Sequence, residues 1–265
     1  MRFDVVGELG NPMVLMLPGS FCTGDTLRPI ADRLSGSYCV VLVTLDGHVR
    51  GGGDYLSKED ATDKVVGWLR DRGVGHLAMA HGTSMGAINA LDIAREGSIT
   101  SDVWFFDGGP FFDFPKPVEL AVRAVFRHMV RVAKRDGAAG VTDDELDAML
   151  EKGMLGRLLG DRAPVYREMV RDCMEVCSFV SDASVAHESA TFCECRLPDL
   201  PPDVVGRCVF LWGSEESARM SRRRVFRKYP DAEFIDVPGY NHCGYQCAHP
   251  DEYAALLDER IRGSR

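Results

Sequence analysis

The 265-residue sequence has no long hydrophobic run. A membrane-spanning helix needs about 20 consecutive apolar residues, whereas the longest apolar stretches here, such as CVVLV at 39–43, have the length of a β-strand. The opening residues, MRFDVVGE, carry charges and no apolar centre, which is not typical of a secretory signal peptide. These absences predict a cytoplasmic protein that has no membrane partner.

Motifs for metals and cofactors are also missing. Nine cysteines are scattered along the chain, and none forms the C-x-x-C pair that is typical of zinc sites. Neither a glycine-rich dinucleotide fingerprint nor a phosphate-binding loop is present. The sequence therefore predicts no cofactor and no metal, with the thiols reduced.

The sequence has fewer basic than acidic residues, with 31 Lys and Arg against 40 Asp and Glu, and its formal net charge is −9. Nucleic-acid phosphates would be repelled by such a chain, so a nucleic-acid partner is not expected. The basic run SRRRVFRK at 221–228 is interpreted as the solvated face of a helix, with an anion or partner site as the alternative. The sequence says nothing about the oligomeric state.

What the sequence does contain is an alternation of apolar strands and helical stretches. Runs without polar interruption are typical of strands that are buried on both faces. The alternation predicts an α/β fold with a mostly parallel, doubly wound sheet and a ligand crevice at the carboxyl ends of its strands. The runs are MVLML (13–17), CVVLVTLD (39–46), HLAMA (76–80), VWFFD (103–107), RCVFLWG (207–213) and AEFIDV (232–237).

The alternation stops between residues 111 and 203, where helical patterns follow one another without a strand. Thr142 and Glu145 have the spacing of a helix capping box, and Pro164 stands where a first helical residue is expected. We predict a core made of residues 1–110 and 204–265 and a helical cap insertion at 111–203, here called the cap segment. Its apolar residues, among them Phe111 and Phe126, either pack the cap on the core or line a site for a hydrophobic acyl or alkyl group.

The stretch HGTSMG at 81–86 has the pattern G-x-S-x-G between a predicted strand and a predicted helix. A serine on such a tight turn adopts a strained backbone, so the positions two residues away must be small, and Gly82 and Gly86 occupy them. Ser84 is the candidate nucleophile. The amide of Met85 begins the helix and is a candidate oxyanion donor.

A serine hydroxyl needs a base, and the base needs an orienting acid. His242 follows the last predicted strand in GYNH and is the candidate base. The candidate acid is Glu216 in WGSEES, with Glu215 beside it and Asp107 at the end of an earlier strand as alternatives. The second oxyanion amide is expected in LPGSF at 17–21, from Ser20 or its neighbour.

With these motifs the sequence resembles the α/β-hydrolase superfamily, in its form of a bacterial serine hydrolase with a helical cap. LPGS, DGHVRGGGD, GTSMG, WGSEES and GYNH match, in chain order, its oxyanion loop, Asp-Gly-His-Gly loop, nucleophile turn, acid loop and histidine loop. The resemblance implies Ser84, His242 and Glu216 as nucleophile, base and acid, and Met85 and Ser20 as oxyanion donors. A proline stands where the oxyanion loop usually begins with histidine, and glutamates occupy the acid loop where aspartate is usual.

The resemblance also implies the chemistry. A serine nucleophile excludes the family's dehalogenase and epoxide-hydrolase branches, which attack with aspartate. The expected activity is hydrolysis of a small, partly hydrophobic carboxylic ester, or a related acyl compound, through an acyl-enzyme. The alternatives are a ligand-binding protein with weak or absent turnover and a hydrolase of carbon–carbon bonds.

Overall fold

A computed structural model describes residues 1–136, 142–151 and 160–264 and contains a seven-stranded sheet in the order β1-β3-β2-β4-β5-β6-β7. All neighbouring strands are parallel except β1, which pairs antiparallel with β3 at one edge. The predicted fold class, a mostly parallel sheet flanked by helices, is confirmed. The strands are β1 (Arg2–Val6), β2 (Met13–Leu17), β3 (Cys39–Thr44), β4 (His76–Thr83), β5 (Thr100–Asp107), β6 (Cys208–Gly213) and β7 (Glu233–Val237).

The sequence analysis did not predict β1. Its five residues are exposed or half-buried, because the strand lies at the edge of the sheet and has only one neighbour. The apolar runs inside the sheet were predicted close to their observed bounds, since β2, β3 and β6 are buried along most or all of their length.

Helices cover both faces of the sheet. One face packs against α1 (Arg28–Leu34) and the final helix, Pro250–Gly263. The other packs against α2 (Lys58–Arg70), α3 (Met85–Glu96) and the helix Arg222–Lys228. The remaining helices are α4 (Lys116–Asp136), α5 (Asp143–Glu151), α6 (Arg167–Phe179), α7 (Asp182–Cys193), α8 (Pro202–Val205), α9 (Arg222–Lys228), α10 (Gly244–Ala248) and α11 (Pro250–Gly263).

Between β5 and β6 the described residues form helices α4 to α8, and α4 packs on both α6 and α7. Thr142 and Glu145 form the capping box at the start of α5. Pro164 does not begin an α-helix, because it lies inside a 3-10 segment, Gly160–Tyr166, and α6 starts at Arg167. The division into a core and a cap segment stays a prediction.

Phe111, at the start of the cap segment, belongs to the core under the sheet. It is fully buried and contacts Phe106, Phe210 and Trp212 edge-on. Its apolar character therefore reflects packing of the core and not a place in a substrate pocket.

Within the part of the chain that the structure describes, no helix is both long enough and apolar enough to cross a bilayer.

Candidate active site

Ser84 occupies the turn between β4 and α3, with φ of 56° and ψ of −119°. Residues other than glycine rarely adopt a positive φ, so the backbone of Ser84 is strained at this turn. A Cβ on Gly82 would lie 2.2 Å from the carbonyl oxygen of Gly86, and a Cβ on Gly86 would lie 2.2 Å from that of Leu17. The two glycines of the motif are therefore required by close backbone contacts, and these contacts fix the position of Ser84.

His242 reaches Ser84 from the loop that follows β7. Its Nε2 lies 3.0 Å from Ser84 Oγ, and its Nδ1 lies 2.7 Å from Glu216 Oε2. Because a carboxylate can only accept, Nδ1 carries the proton, and Nε2 is left free to accept the hydroxyl proton of Ser84. The structure thus brings three of the predicted site residues into one hydrogen-bonded chain.

Glu216 lies on the loop after β6, and its side chain is fully buried. Its second oxygen, Oε1, accepts a hydrogen bond of 3.2 Å from the backbone N–H of Gly213. Glu215, the neighbouring alternative, is exposed to solvent. The loop therefore turns one glutamate toward His242 and the other toward water.

Asp107, the third candidate acid, is buried at the end of β5 and accepts a hydrogen bond of 2.8 Å from the Tyr253 hydroxyl. Burial and the charge of Glu216 raise the pKa of the Asp107 carboxyl to about 7, against the lowering effects of Tyr253 and His242. Asp107 is thus an acidic group close to His242 that loses its proton only at about pH 7, whereas the hydrogen bond to the ring belongs to Glu216.

The bond between His242 and Glu216 passes close to the backbone of Gly108, which has φ of 61°. A Cβ at this position would lie 2.9 Å from His242 Cε1 and 3.2 Å from Glu216 Oε2. Gly108 is required both by its left-handed backbone and by the space that the ring and the carboxylate occupy.

Two opposing effects set the basicity of His242. Burial would lower its pKa, but the hydrogen bond to Glu216 and the charges of Glu216 and Asp107 outweigh burial and raise the pKa above its ordinary value. A raised pKa is suited to a group that must take a proton from a hydroxyl and later return it.

The predicted oxyanion donors lie on both sides of Ser84. Met85 is the first residue of α3 and is buried. Gly19 lies against Ser84, because a Cβ on Gly19 would be 3.2 Å from Ser84 Cβ. This contact brings the segment that carries Ser20 beside Ser84. The amide of Phe21 points instead at His48 Nε2, 3.3 Å away, which favours Ser20 over its neighbour.

The sequence analysis missed one buried pair beside the site. His48 Nε2 lies 2.7 Å from Glu188 Oε1 on α7, and both side chains are fully buried. His48 lies in the stretch DGHVRGGGD, which matches the Asp-Gly-His-Gly loop. Its partner is 140 residues away in the chain, and no sequence pattern connects the two.

Among residues 1–136, 142–151 and 160–264, no group of three or more His, Cys, Asp or Glu side chains is placed to hold a metal ion.

Comparison with known proteins gives a consistent result. The model of a family described as the alpha/beta hydrolase family matches residues 14–256. A search of curated protein sequences gives no match. The chain is similar in structure to an alpha/beta hydrolase family protein from Desulfitobacterium hafniense, with a TM-score of 0.72 and 17% identity over 97% of this chain and 99% of that one.

Two further similar structures have more specific descriptions. A thermophilic esterase from Thermogutta terrifontis has a TM-score of 0.68 and 17% identity, over 99% of this chain and 93% of the esterase. The meta-cleavage product hydrolase of Pseudomonas fluorescens IP01 has a TM-score of 0.69 and 17% identity, over 100% of this chain and 94% of that hydrolase. At 17% sequence identity, the similarity to these structures shows a shared fold and does not show a shared activity.

Proposed function

Because the chain belongs to the alpha/beta hydrolase family, we propose that it is a serine hydrolase that cleaves a small, partly hydrophobic carboxylic ester. The observation that carries the proposal is the chain of hydrogen bonds from Ser84 Oγ through His242 to Glu216, of 3.0 and 2.7 Å. A hydroxyl, a base and an orienting acid in this order make a nucleophile, whichever fold holds them.

The first half of the reaction forms an acyl-enzyme. Ser84 Oγ attacks the ester carbonyl carbon while His242 Nε2 takes the hydroxyl proton, and the carbonyl electron pair moves onto oxygen. The amides of Met85 and Ser20 donate to that oxyanion. When the intermediate collapses, the bond to the alcohol oxygen breaks and His242 returns the proton to the leaving group.

The second half releases the acid. His242 takes a proton from water, the resulting hydroxide attacks the acyl carbon, and Ser84 leaves with the proton that His242 then holds. Throughout both halves Glu216 stabilises the imidazolium of His242 and keeps its Nδ1 protonated. Glu216 is itself fixed by the Gly213 amide, so the ring orientation is set before substrate arrives.

An aromatic group in the cap segment supports a substrate with an apolar part. The phenylalanine rings of this group contact one another and are half-buried. The ring of Phe126 also contacts that of Phe21, with 5.8 Å between the ring centroids. Since Phe21 follows Ser20 directly, this apolar surface is joined to the predicted oxyanion side of the site. The group consists of Phe112, Phe114, Phe126 and Phe192.

Labelling with a fluorophosphonate tests the nucleophile directly. We expect the probe to label the wild-type protein and not Ser84→Ala, whereas Ser37→Ala, a substitution of an exposed serine, keeps the label.

A series of p-nitrophenyl esters of rising chain length measures turnover. We expect His242→Ala to lower kcat by about 10⁴-fold or more, because it removes the only base in contact with Ser84 Oγ among the described residues.

Two results would contradict the proposal. A protein that neither takes the label nor turns over any ester is better described as a ligand-binding protein on this fold. A protein that takes the label but cleaves only vinylogous diketones is a carbon–carbon bond hydrolase with the same nucleophile.

A further inference from the structure

The oxyanion loop, residues 18–23, is held by the cap segment as well as by the sheet. The side chain of Phe21 is buried among residues of three cap helices, although its backbone belongs to the loop beside Ser84. Phe21 has φ of 55°, a conformation that a bulky residue keeps only when its surroundings impose it. The surrounding side chains are Val130 and Ala133 of α4, Val176 and Cys177 of α6, Val180, and Val185 of α7.

Asp172 of α6 makes a second contact of this kind. Its Oδ2 accepts from the backbone N–H of Thr23, and its Oδ1 accepts from the Thr23 hydroxyl, each at 2.7 Å. The end of the oxyanion loop is therefore fixed in two directions by one carboxylate of the cap segment.

His48 and Glu188 make the third contact. His48 Nδ1 donates to the carbonyl of Cys22 at 2.8 Å, so this nitrogen carries a proton. His48 Nε2 lies between Glu188 Oε1, at 2.7 Å, and the backbone N–H of Phe21, at 3.3 Å. The His48 ring thus contacts Phe21 and Cys22 of the oxyanion loop and Glu188 of the cap segment.

Glu188 determines which way this ring is held. The carboxylate favours protonation of His48, whose pKa is raised by the charge and hydrogen bond of Glu188 and by the Cys22 carbonyl, against the effect of burial. Oε2 of Glu188 is buried and has no hydrogen-bond partner in the described residues, so its negative charge is balanced chiefly by His48. Without Glu188 the ring, with its proton on Nδ1, can still donate to the Cys22 carbonyl, but it loses its connection to α7 and is held by the oxyanion loop alone.

We propose that His48 and Glu188 are positioning residues that couple cap helix α7 to the oxyanion loop and hold the Ser20 amide in place for the transition state. This inference rests on the proposed function, because the oxyanion has meaning only for acyl transfer. It places part of the catalytic geometry in the cap segment, because Glu188 acts through its contact with His48.

Kinetics of substituted proteins separate this role from a merely structural one. We expect Glu188→Leu to lower kcat by about 10- to 100-fold with little change in KM, because a displaced oxyanion donor affects the transition state more than substrate binding. Glu188→Gln should lose less, since its amide keeps a hydrogen bond to the ring. Glu175→Leu, which removes an exposed glutamate from α6, serves as the matched control and should keep wild-type values.

A boronic acid provides a second readout. Its boron bonds to Ser84 Oγ and becomes tetrahedral, with an oxygen in the place of the oxyanion. The inhibition constant should rise in Glu188→Leu by the same factor by which kcat/KM falls, which a loss of thermal stability alone would not cause. His48→Leu with Glu188→Leu also removes the contacts of the ring with Phe21 and Cys22, so it should cost at least as much as Glu188→Leu alone.

Hydrogen exchange tests the coupling without reference to activity. In Glu188→Leu the amides of residues 20–23 should exchange at least about tenfold faster than in the wild type, while those of β4 stay unchanged. Unchanged kcat, unchanged boronate affinity or unchanged exchange in a folded Glu188→Leu protein would overturn the inference. Failure of the proposed function shows elsewhere, in a wild-type protein that takes no fluorophosphonate label.

Discussion

At the scale of single residues, His242 is the group whose surroundings are best defined. Glu216 and Asp107 are the two acidic groups that raise its pKa, and only Glu216 is hydrogen-bonded to the ring. A general base works when it is neutral, so activity should rise with pH as His242 loses its proton.

The pH profile of kcat/KM follows from this. We expect its acid limb to have an apparent pKa above the ordinary histidine value of 6.5. Glu216→Gln removes the charge that raises the pKa of His242 and leaves at most a neutral, weaker hydrogen bond, so the limb should move to lower pH while kcat falls. Glu215→Gln, at an exposed neighbour, is the control and should leave the limb where it is. A limb that does not move in Glu216→Gln would assign the acid to another residue.

Gly108 provides a second test at this scale. In Gly108→Ala the new methyl group would stand about 3 Å from both members of the His242–Glu216 pair. Since a shift of about 1 Å in catalytic geometry can cost about 100-fold, we expect a loss of that order in kcat/KM. The measurement is steady-state hydrolysis of an ester that the wild type accepts.

Gly97→Ala is the matched control for this experiment. Gly97 ends α3 with φ of 81°, and a Cβ there would meet no atom closer than 3.7 Å. Both substitutions carry the penalty of a left-handed backbone, about 1 kcal/mol, but only Gly108→Ala crowds the site. Equal losses of activity in the two proteins would mean that backbone strain, and not crowding, is responsible.

At the scale of elements, local signals in the sequence specify where several helices begin. Ser57 accepts a hydrogen bond from the backbone N–H of Asp60 at 3.2 Å and caps α2. Ser57→Ala should lower the free energy of unfolding by about 1 kcal/mol, because one amide at the helix start loses its acceptor. Chemical denaturation measures this, with Ser37→Ala at an exposed position as the control.

Three features differ from what the local sequence pattern indicates, because each depends on contacts with residues that are distant in the chain. β1 escapes notice because an edge strand with one neighbour is only half-buried. Pro164 is predicted to be the first residue of a helix, but it lies inside a 3-10 segment that precedes α6. Phe111 is counted with the cap segment by its position in the chain, although its ring belongs to the core.

At the scale of the whole molecule, the order of elements was predictable and the contacts across the chain were not. The candidate site collects residues from the turn after β4 and the loops after β6 and β7, where a parallel sheet gathers its strand ends. This rule alone places Ser84, Glu216 and His242 near one another. It does not predict which of three carboxylates faces His242, nor that Glu188 meets His48, because both depend on side-chain packing.

Stability should depend on pH through Asp107. Its folded-state pKa of about 7 lies above the ordinary value of 3.8, so between these values the folded protein holds a proton that the unfolded chain has lost. The contribution of Asp107 is therefore full at low pH and is lost as pH rises toward 7.

Asp107→Asn removes this dependence. The free energy of unfolding of Asp107→Asn, minus that of the wild type, should be larger at pH 8 than at pH 5 by up to about 3 kcal/mol. Urea denaturation at the two pH values gives the difference, with Asp63→Asn on the surface as the control. An identical difference at both pH values would show that Asp107 stays ionised throughout.

The burial of Phe21 among cap helices has a consequence for protein engineering. A chimaera that takes its specificity from another family member by exchanging residues 111–203 would also exchange the wall against which Phe21 rests and the partner of His48. The graft should therefore carry residues 20–23 and 48 with it. Transplants made without them are expected to bind the donor's substrates yet turn them over slowly.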